Sequence, residues 1–206
     1  DVSDPTNIVV KDAETDGSNG FTRLNGARGV DTFVIGSSTY AIVASKADNG
    51  VQMIDVSDPT DITAVDTAAD GDNGFTELSG AVFVETFTIG SSTYAIVTAR
   101  SDNGVQIIDI SDPTDIVGVD AATDGDVFTE LDGAYGIDTF TIGSSTYAIV
   151  TSKDDDGVQI IDISDPTNIV AKDAETDGSN GFTELDGAHG VDIFVIGSST
   201  YAIVTA

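Results

Sequence analysis

The chain is a tandem repeat, and this feature constrains its fold more than any other property of the sequence. The hexapeptide Asp-(Val/Ile)-Ser-Asp-Pro-Thr recurs at intervals of 54, 54 and 53 residues, beginning at Asp1, Asp55, Asp109 and Asp162. Units of this length bury a continuous core only by stacking on their neighbours. We therefore interpret residues 1–206 as a single repeat array, with copies at 1–54, 55–108, 109–161 and 162–206, the last of them nine residues shorter than the second.

Each copy contains four short segments rich in Val, Ile, Thr, Tyr and Phe and bounded by Gly, Asp, Ser or Pro, which is the composition of β-strands. In the second copy they are Ile62–Val65, Val82–Ile89, Thr93–Ala99 and Val105–Ile110. Asn103-Gly104 supplies the positive φ angles of a tight hairpin, and no segment shows a sustained helical period. The sequence predicts an all-β fold of four tandem four-stranded antiparallel units resembling β-propeller blades, four if the ring closes. The alternatives are an open β-repeat array or part of a larger propeller.

The charge of the chain narrows the classes of partner. Thirty-six acidic residues stand against seven basic ones, giving a formal charge of −29. A field this negative argues against nucleic acid and anionic membranes as partners, and no apolar run is long enough to insert into a bilayer. We expect an extracellular or cell-surface protein in a medium rich in counterions. Because residue 1 is not Met and falls at the end of a predicted strand, we also expect the chain to be a portion of a longer one.

Three segments resemble the LVIVD-repeat β-propeller family. They all follow the pattern Gly-Val-Gln-(Ile/Met)-Ile-Asp-(Val/Ile)-Ser-Asp-Pro-Thr, and they are Gly50–Thr60, Gly104–Thr114 and Gly157–Thr167. The resemblance implies a propeller fold and an extracellular or surface location, and it implies no particular chemistry. The chain departs from the family in an acidic insert, such as residues 66–80, which lengthens each blade.

The acidic inserts are candidate calcium sites. In the fourth copy, carboxylates or glycine occupy positions 1, 3, 5, 6 and 12 of a twelve-residue loop, as in helix–loop–helix calcium sites. The match is weaker elsewhere, because Arg23 takes position 12 in the first copy. The candidate ligands are Asp12, Glu14, Asp16, Asp66, Asp70, Glu77, Asp120, Asp124, Asp173, Glu175, Asp177 and Glu184. The alternative interpretation is a solvated acidic turn, in which Asp and Gly serve loop geometry.

Residues that differ between near-identical copies are candidates for ligand binding. One such set lies just before the same predicted strand in every copy, and it comprises Arg28, Val82, Tyr135 and His189. If that strand is innermost, the set rings one mouth of a central channel. His189 is the only histidine, so a catalytic triad or a histidine-ligated zinc site lacks its partners. We predict no catalytic residues and no enzymatic activity.

The short fourth copy suggests how the protein works. It lacks the Gly-Val-Gln-Ile-Ile stretch, so its blade has an unpaired edge that can pair with another chain. Self-association through this edge would give a filament or a lattice. We expect a non-enzymatic structural or adhesive surface protein, with a glycan- or peptide-binding module at the channel mouth as the alternative.

Overall fold

A computed structural model describes all 206 residues and contains strands but no α-helix. No helix is therefore available that could cross a membrane. The fourteen strands are β1 (Ala27–Ile35), β2 (Ser38–Ser45), β3 (Gly50–Asp55), β4 (Thr63–Ala69), β5 (Ala81–Ile89), β6 (Ser92–Ala99), β7 (Gly104–Asp109), β8 (Val117–Thr123), β9 (Ala134–Ile142), β10 (Ser145–Ser152), β11 (Gly157–Asp162), β12 (Val170–Thr176), β13 (Gly190–Ile196) and β14 (Ser199–Thr205).

The strands form three complete blades and a half-blade. Strands β1–β4, β5–β8 and β9–β12 are four-stranded antiparallel sheets in sequence order, and β13–β14 is a two-stranded sheet that we call the half-blade. The register is the same in every blade, since the tyrosine of the second strand lies opposite the first aspartate of the repeat, as in Tyr94↔Asp109. The predicted all-β, four-stranded repeat is thus confirmed, and the ring is open rather than closed into four blades.

The first strand of each blade is innermost. Strands β1, β5, β9 and β13 contact one another in succession, and each blade stacks its face on the next. The stacked faces enclose two main hydrophobic clusters. One joins the first and second blades and includes Phe33, Ile42 and Ile108. The other joins the second and third and includes Phe87, Ile96 and Ile161. The core of the protein therefore lies between blades and not within any one of them.

The blades are out of phase with the repeat as it is read from the hexapeptide. The hexapeptide starts at the last residue of the third strand, so the first blade combines residues 27–55 with β4 of the next copy. Residues 1–12, which we call the N-terminal segment, accordingly correspond to the end of a third strand and the start of a fourth. Like the counterpart pair Asp55 and Thr63, Asp1 and Val9 are joined through their backbones.

A buried glutamine in each third strand fixes the loop that leads into the inner strand of the same blade. Gln106 is fully buried. Its Oε1 accepts from the Thr76 N–H at 2.9 Å, and its Nε2 donates to the Asp120 carbonyl at 2.9 Å. Gln52 and Gln159 make the equivalent bonds. A buried amide is favourable only when such partners are present, so this residue ties the acidic loop to the sheet.

Replacing this amide tests the role. Gln106→Leu keeps a similar volume but leaves the Thr76 N–H and the Asp120 carbonyl without partners. We expect a loss of about 2–4 kcal/mol in the free energy of unfolding, since each unsatisfied buried group costs about 1–3 kcal/mol. Denaturant unfolding measures it. Thr63→Ala, at an exposed strand position, is the control, and equal stability of the two variants would contradict the assignment.

Candidate functional site

The structure brings three of the four predicted channel-mouth residues together. An Arg28 guanidinium N–H donates to the Tyr135 hydroxyl at 3.2 Å, and the Tyr135 and His189 rings meet edge to face at 6.3 Å. Val82 is fully buried and does not line the mouth. The adjacent Phe83 takes its place, with its ring 5.5 Å from that of Tyr135. The cluster is therefore cationic and aromatic, and exposed at Arg28 and His189.

Glycine lets the inner strands approach closely behind this cluster. A Cβ at Gly29 would lie 2.6 Å from the Phe83 Cα, and one at Gly136 would lie 2.5 Å from the His189 carbonyl oxygen. Neither separation is possible for a real side chain, because the obstructing atoms belong to the backbone. The mouth is thus held by tight backbone packing, which gives its side chains fixed positions.

A row of carboxylates crosses the inner strands three residues further on, and the sequence analysis missed it. The row comprises Asp31, Glu85, Asp138 and Asp192. Asp31 accepts from the backbone N–H and the hydroxyl of Thr86 in the next blade, at 2.8 and 2.6 Å. Asp138 likewise accepts from the Ile193 N–H of the half-blade at 2.7 Å. The signal was available, because aligning the copies shows an acidic residue at this position every time.

Burial and the close approach of these carboxylates to one another raise the pKa values of two of them. Burial, followed by the neighbouring Asp31 carboxylate, raises the pKa of Glu85 to about 7. Burial and the Asp192 carboxylate also raise the pKa of Asp138, although bonds from the Ile193 and Thr139 N–H groups oppose the shift. Near neutral pH, Glu85 is therefore partly protonated.

The candidate calcium ligands at the first loop position join blades. Asp12, Asp66 and Asp120 accept from the backbone N–H of an isoleucine in the following blade. The bonds are Ile62 N–H to Asp12, Ile116 N–H to Asp66 and Ile169 N–H to Asp120, at 2.9, 2.9 and 2.8 Å. Asp173 is the fourth member of the series and is exposed. The only hydrogen bond to its carboxylate is from its neighbour, the Ala174 N–H.

The remaining candidate ligands also bond within the protein. At the fifth loop position, Asp16, Asp70, Asp124 and Asp177 accept from the backbone N–H of Leu24, Leu78, Leu131 and Leu185. Glu14 and Glu175 accept from nearby Ser and Asn side chains. Glu77 accepts from the Thr123 hydroxyl, and Glu184 is exposed. No three metal-ligating side chains converge. The loop geometry explains these acidic residues, and calcium binding stays a prediction.

The far face of the half-blade is apolar and uncovered. We call it the open end, and define it by Phe194, Tyr201, Ile203 and the free edge of β14. Ile203 is 58% exposed, whereas its counterparts Ile42 and Ile96 are fully buried. Phe194 is 41% exposed, against 6% for its counterpart Phe87. The open end therefore has the composition of an interface between blades.

A cavity of about 370 Å³ lies beside the open end, between the third blade and the half-blade. It is lined mostly by apolar side chains, among them Ile149, Val158, Ile160 and Leu185, with Asp173 at its edge. In the complete blades the corresponding space holds the isoleucines of the next third strand and of the turn that follows it, such as Ile108, Ile110 and Ile116. The cavity is thus the place of a missing strand and turn.

The perturbed carboxylate gives a test of the inner row. The pKa of Glu85 is higher in the folded protein than the ordinary value of 4.5, so stability falls as pH rises from about 4.5 to about 7. Glu85→Gln removes this titration. We expect the melting temperature of this variant, relative to that of the parent protein, to increase as the pH rises through this interval, as measured by calorimetry. Glu184→Gln makes the same change at an exposed position and is the matched control. Parallel curves for Glu85→Gln and the parent would contradict the assignment.

Solved structures share the fold at low sequence identity. A protein of unknown function from Desulfotomaculum acetoxidans DSM 771 is 15% identical, with a TM-score of 0.58, 86% of this chain covered and 48% of that chain. An exo-β-1,3-galactanase from Phanerochaete chrysosporium is 13% identical, with a TM-score of 0.59, 96% of this chain and 47% of that one. A periplasmic gluconolactonase from Pseudomonas aeruginosa is 12% identical, with a TM-score of 0.57, and the match covers 75% of this chain and 41% of that chain. The chain thus spans about half the length of the structures it matches.

Sequence comparison agrees with the repeat motif. No curated protein matches the sequence. The LVIVD repeat model matches residues 34–70, 91–120 and 144–174, and each match runs from the first or second strand of a blade into its fourth. The chain therefore contains three segments that match the LVIVD repeat.

Proposed function

We propose that the protein is a non-enzymatic structural or adhesive component of an extracellular or cell surface, and that its copies associate through the open end into filaments or a lattice. The observation that carries this proposal is the exposure of Phe194 and Ile203, whose counterparts in the first and second blades are buried.

The energetics favour covering the open end. Full burial of a side chain such as Ile203 or Phe194 contributes about 1.5–3 kcal/mol. The free edge of β14 adds unpaired backbone groups that another strand can satisfy. These gains must exceed the loss of translational and rotational freedom on association, which several buried side chains and a strand pairing together can do.

The charge of the protein sets the conditions for assembly. Copies that each carry a formal charge of −29 repel one another, and salt screens this repulsion over about 8–10 Å at ordinary ionic strength. A salty exterior, or one rich in divalent cations such as calcium, therefore promotes association. This requirement supports the extracellular location.

A substitution at the open end tests the proposal. Ile203→Lys places a charge on the face that must be buried, so we expect filaments or larger species to disappear. Negative-stain electron microscopy and light scattering of the native protein at physiological salt measure this. Val195→Lys is the matched control, because Val195 lies on the same half-blade at a position whose counterpart Val34 is also exposed. A parent protein that stays monomeric at all concentrations would sink the proposal.

The alternative is a binding module for a glycan or a peptide at the channel mouth. The contacts among Arg28, Tyr135 and His189 favour it, because a cation beside exposed aromatic rings is a common surface for polar ligands. The galactanase and the lactonase among the solved structures act on sugars or their derivatives, but at 12–13% identity they show the fold alone.

The mouth has its own test. We expect Tyr135→Ala combined with His189→Ala to abolish any binding that the parent protein shows on glycan and peptide arrays, since both rings would be lost. Thr88→Ala, at an exposed inner-strand position away from the mouth, is the control. Binding that survives the double substitution would exclude the mouth as the site.

A further inference from the structure

A separate cavity, of about 230 Å³, lies between the second and third blades. It is lined by residues 86–88, residues 139–141 and Thr146, which are five threonines and two phenylalanines, and no charged residue lines it. Both blades are complete, and these residues lie towards the far ends of the inner strands, away from the channel mouth. Thr88 is exposed, so the cavity opens to solvent. A concave site with converging polar groups and no charge is therefore present inside the array.

Three hydroxyl groups face this cavity from the third blade. Ile137 and Ala148 of that blade pack in the hydrophobic cluster shared with the second blade. Because side chains alternate along a strand, Thr139 and Thr141 lie on the same face as Ile137. Thr146 likewise lies on the same face as Ala148, and it is the direct sheet partner of Thr141. The three hydroxyls therefore form one group that faces the second blade.

The second blade contributes an apolar wall. Phe87 is 6% exposed and belongs to the cluster between the second and third blades. The alternation of side chains turns Thr86 and Thr88 towards the first blade, where the Thr86 hydroxyl donates to Asp31 at 2.6 Å. These two threonines therefore offer backbone atoms to the cavity, and Phe87 is the side chain that the second blade presents to it.

Thr146 shows that the cavity is polar in its depth. This residue is only 8% exposed, and its backbone N–H donates to the Ser164 hydroxyl at 3.0 Å. The hydroxyl of Thr146 itself bonds no group of the protein, and the same holds for the hydroxyls of Thr139 and Thr141. A buried hydroxyl is unfavourable without a hydrogen-bonding partner. A ligand that carries hydroxyl groups can supply the partners that the protein does not.

The equivalent place between the first and second blades holds no cavity. There, Asp31 accepts from the backbone N–H and the hydroxyl of Thr86, at 2.8 and 2.6 Å. Glu85 is the counterpart of Asp31, but it makes no such bonds to Thr139. The Thr139 N–H donates instead to its neighbour Asp138 at 2.7 Å, which leaves the Thr139 hydroxyl free. The exchange of aspartate for glutamate thus accompanies the opening of the cavity.

We propose that this cavity binds a single ring of a neutral sugar. The inference goes beyond the proposed function, because it assigns a ligand at a site away from both the open end and the channel mouth. A hydroxyl group both donates and accepts, so a group of three suits a ligand that is itself covered with hydroxyls. The Phe87 ring offers an apolar surface to the C–H face of a sugar ring.

Charge and size both favour a neutral single ring. The chain carries a formal charge of −29, which repels acidic sugars, and no cation lines the cavity to offset this repulsion. The volume of about 230 Å³ is below the range of about 300–1,000 Å³ that is usual for drug-sized ligands. The occupant is therefore one sugar ring, either free or at the end of a glycan.

Titration with free neutral hexoses tests the proposal. Glucose, galactose and mannose are the probes, and the amide and methyl NMR signals of the protein are the readout. We expect at least one hexose to shift the signals of Thr139, Thr141 and Thr146 saturably. Thr146→Val removes one hydroxyl at nearly constant shape, so we expect the dissociation constant to rise about two- to tenfold, the effect of one net hydrogen bond. Thr146→Ser keeps the hydroxyl and should bind as the parent protein does, and a Ser variant as weak as the Val variant would overturn the role of the hydroxyl.

Thr93→Val is the matched control. Thr93 is the counterpart of Thr146 in the second blade and is also 8% exposed. Its backbone N–H donates to the Ser111 hydroxyl at 3.0 Å, as that of Thr146 does to Ser164. No cavity is lined by Thr93, so this variant should bind the sugar with the affinity of the parent protein. An equal loss of affinity in Thr93→Val and Thr146→Val would overturn the assignment of the site.

The remaining outcomes separate this inference from the proposed function. Shifts confined to Tyr135 and His189 overturn the cavity as the site and favour the channel mouth. No saturable shift with any of the three hexoses overturns the inference and leaves the cavity to water, whether or not the protein assembles. A protein that binds a hexose at the cavity but never assembles supports the inference and overturns the proposed function alone.

A neutral oligosaccharide distinguishes the two sources of the sugar. If it produces the same shifts as the hexose at a lower concentration, the ring belongs to the end of a glycan. Equal or weaker binding identifies the free sugar as the ligand. Both results support the cavity as a neutral sugar site, whereas binding of acidic sugars in preference to neutral ones would overturn it.

Discussion

The stacking of one blade face on the next is the interaction on which the rest of the structure depends. Strands such as β6 are apolar at successive positions, so a single sheet has two faces to cover. Inside the arc, Ile96 and Ile107 are fully buried because the following blade supplies Ile161 and Ile163. The counterpart of Ile96 in the half-blade, Ile203, is 58% exposed. Stability is therefore a property of neighbouring pairs of blades, as in other repeat proteins.

Polar contacts give this stacking its register. An apolar face alone permits sliding, whereas the bond from Ile116 to Asp66 fixes each outer strand against the next blade. The bond from Thr86 to Asp31 does the same on the inner strands. The repeat thus places one carboxylate at the outer and one at the inner margin of an interface. Much of the acidic character of the chain has this structural use, and the exposed remainder gives the protein its charge.

The sequence predicts the strands well because their signals are local. Asn103-Gly104 begins a hairpin with Asn103 at φ 58°, as the dipeptide indicates, and the predicted Val82–Ile89 is observed as Ala81–Ile89. The predicted convergence at the channel mouth is found for Arg28, Tyr135 and His189. Val82 is instead fully buried, although β1 and β5 share the same register shift before their fourth residue. The difference lies in the side chain, since a short apolar valine is accommodated in the core whereas Arg28 extends to solvent.

The acidic residues were harder to interpret, because their partners are distant in the sequence. The pattern of residues 66–77 alone indicates that Asp66 is the first ligand of a calcium loop. The structure instead joins it to Ile116, fifty positions away. The buried role of Gln106 was missed for the same reason, since its partner Thr76 lies thirty residues earlier in the chain.

The amide of Ile116 reports most directly on whether the carboxylate bonds hold stacked blades in register. Its N–H donates to Asp66 of the preceding blade, so hydrogen exchange at Ile116 should be slow in the parent protein. Asp66→Ala removes this acceptor, so exchange at Ile116 should become faster, whereas exchange at Ile169, whose acceptor is Asp120, should stay slow. Unchanged exchange at Ile116 in Asp66→Ala would contradict the account, since the blades would then keep their register without this bond.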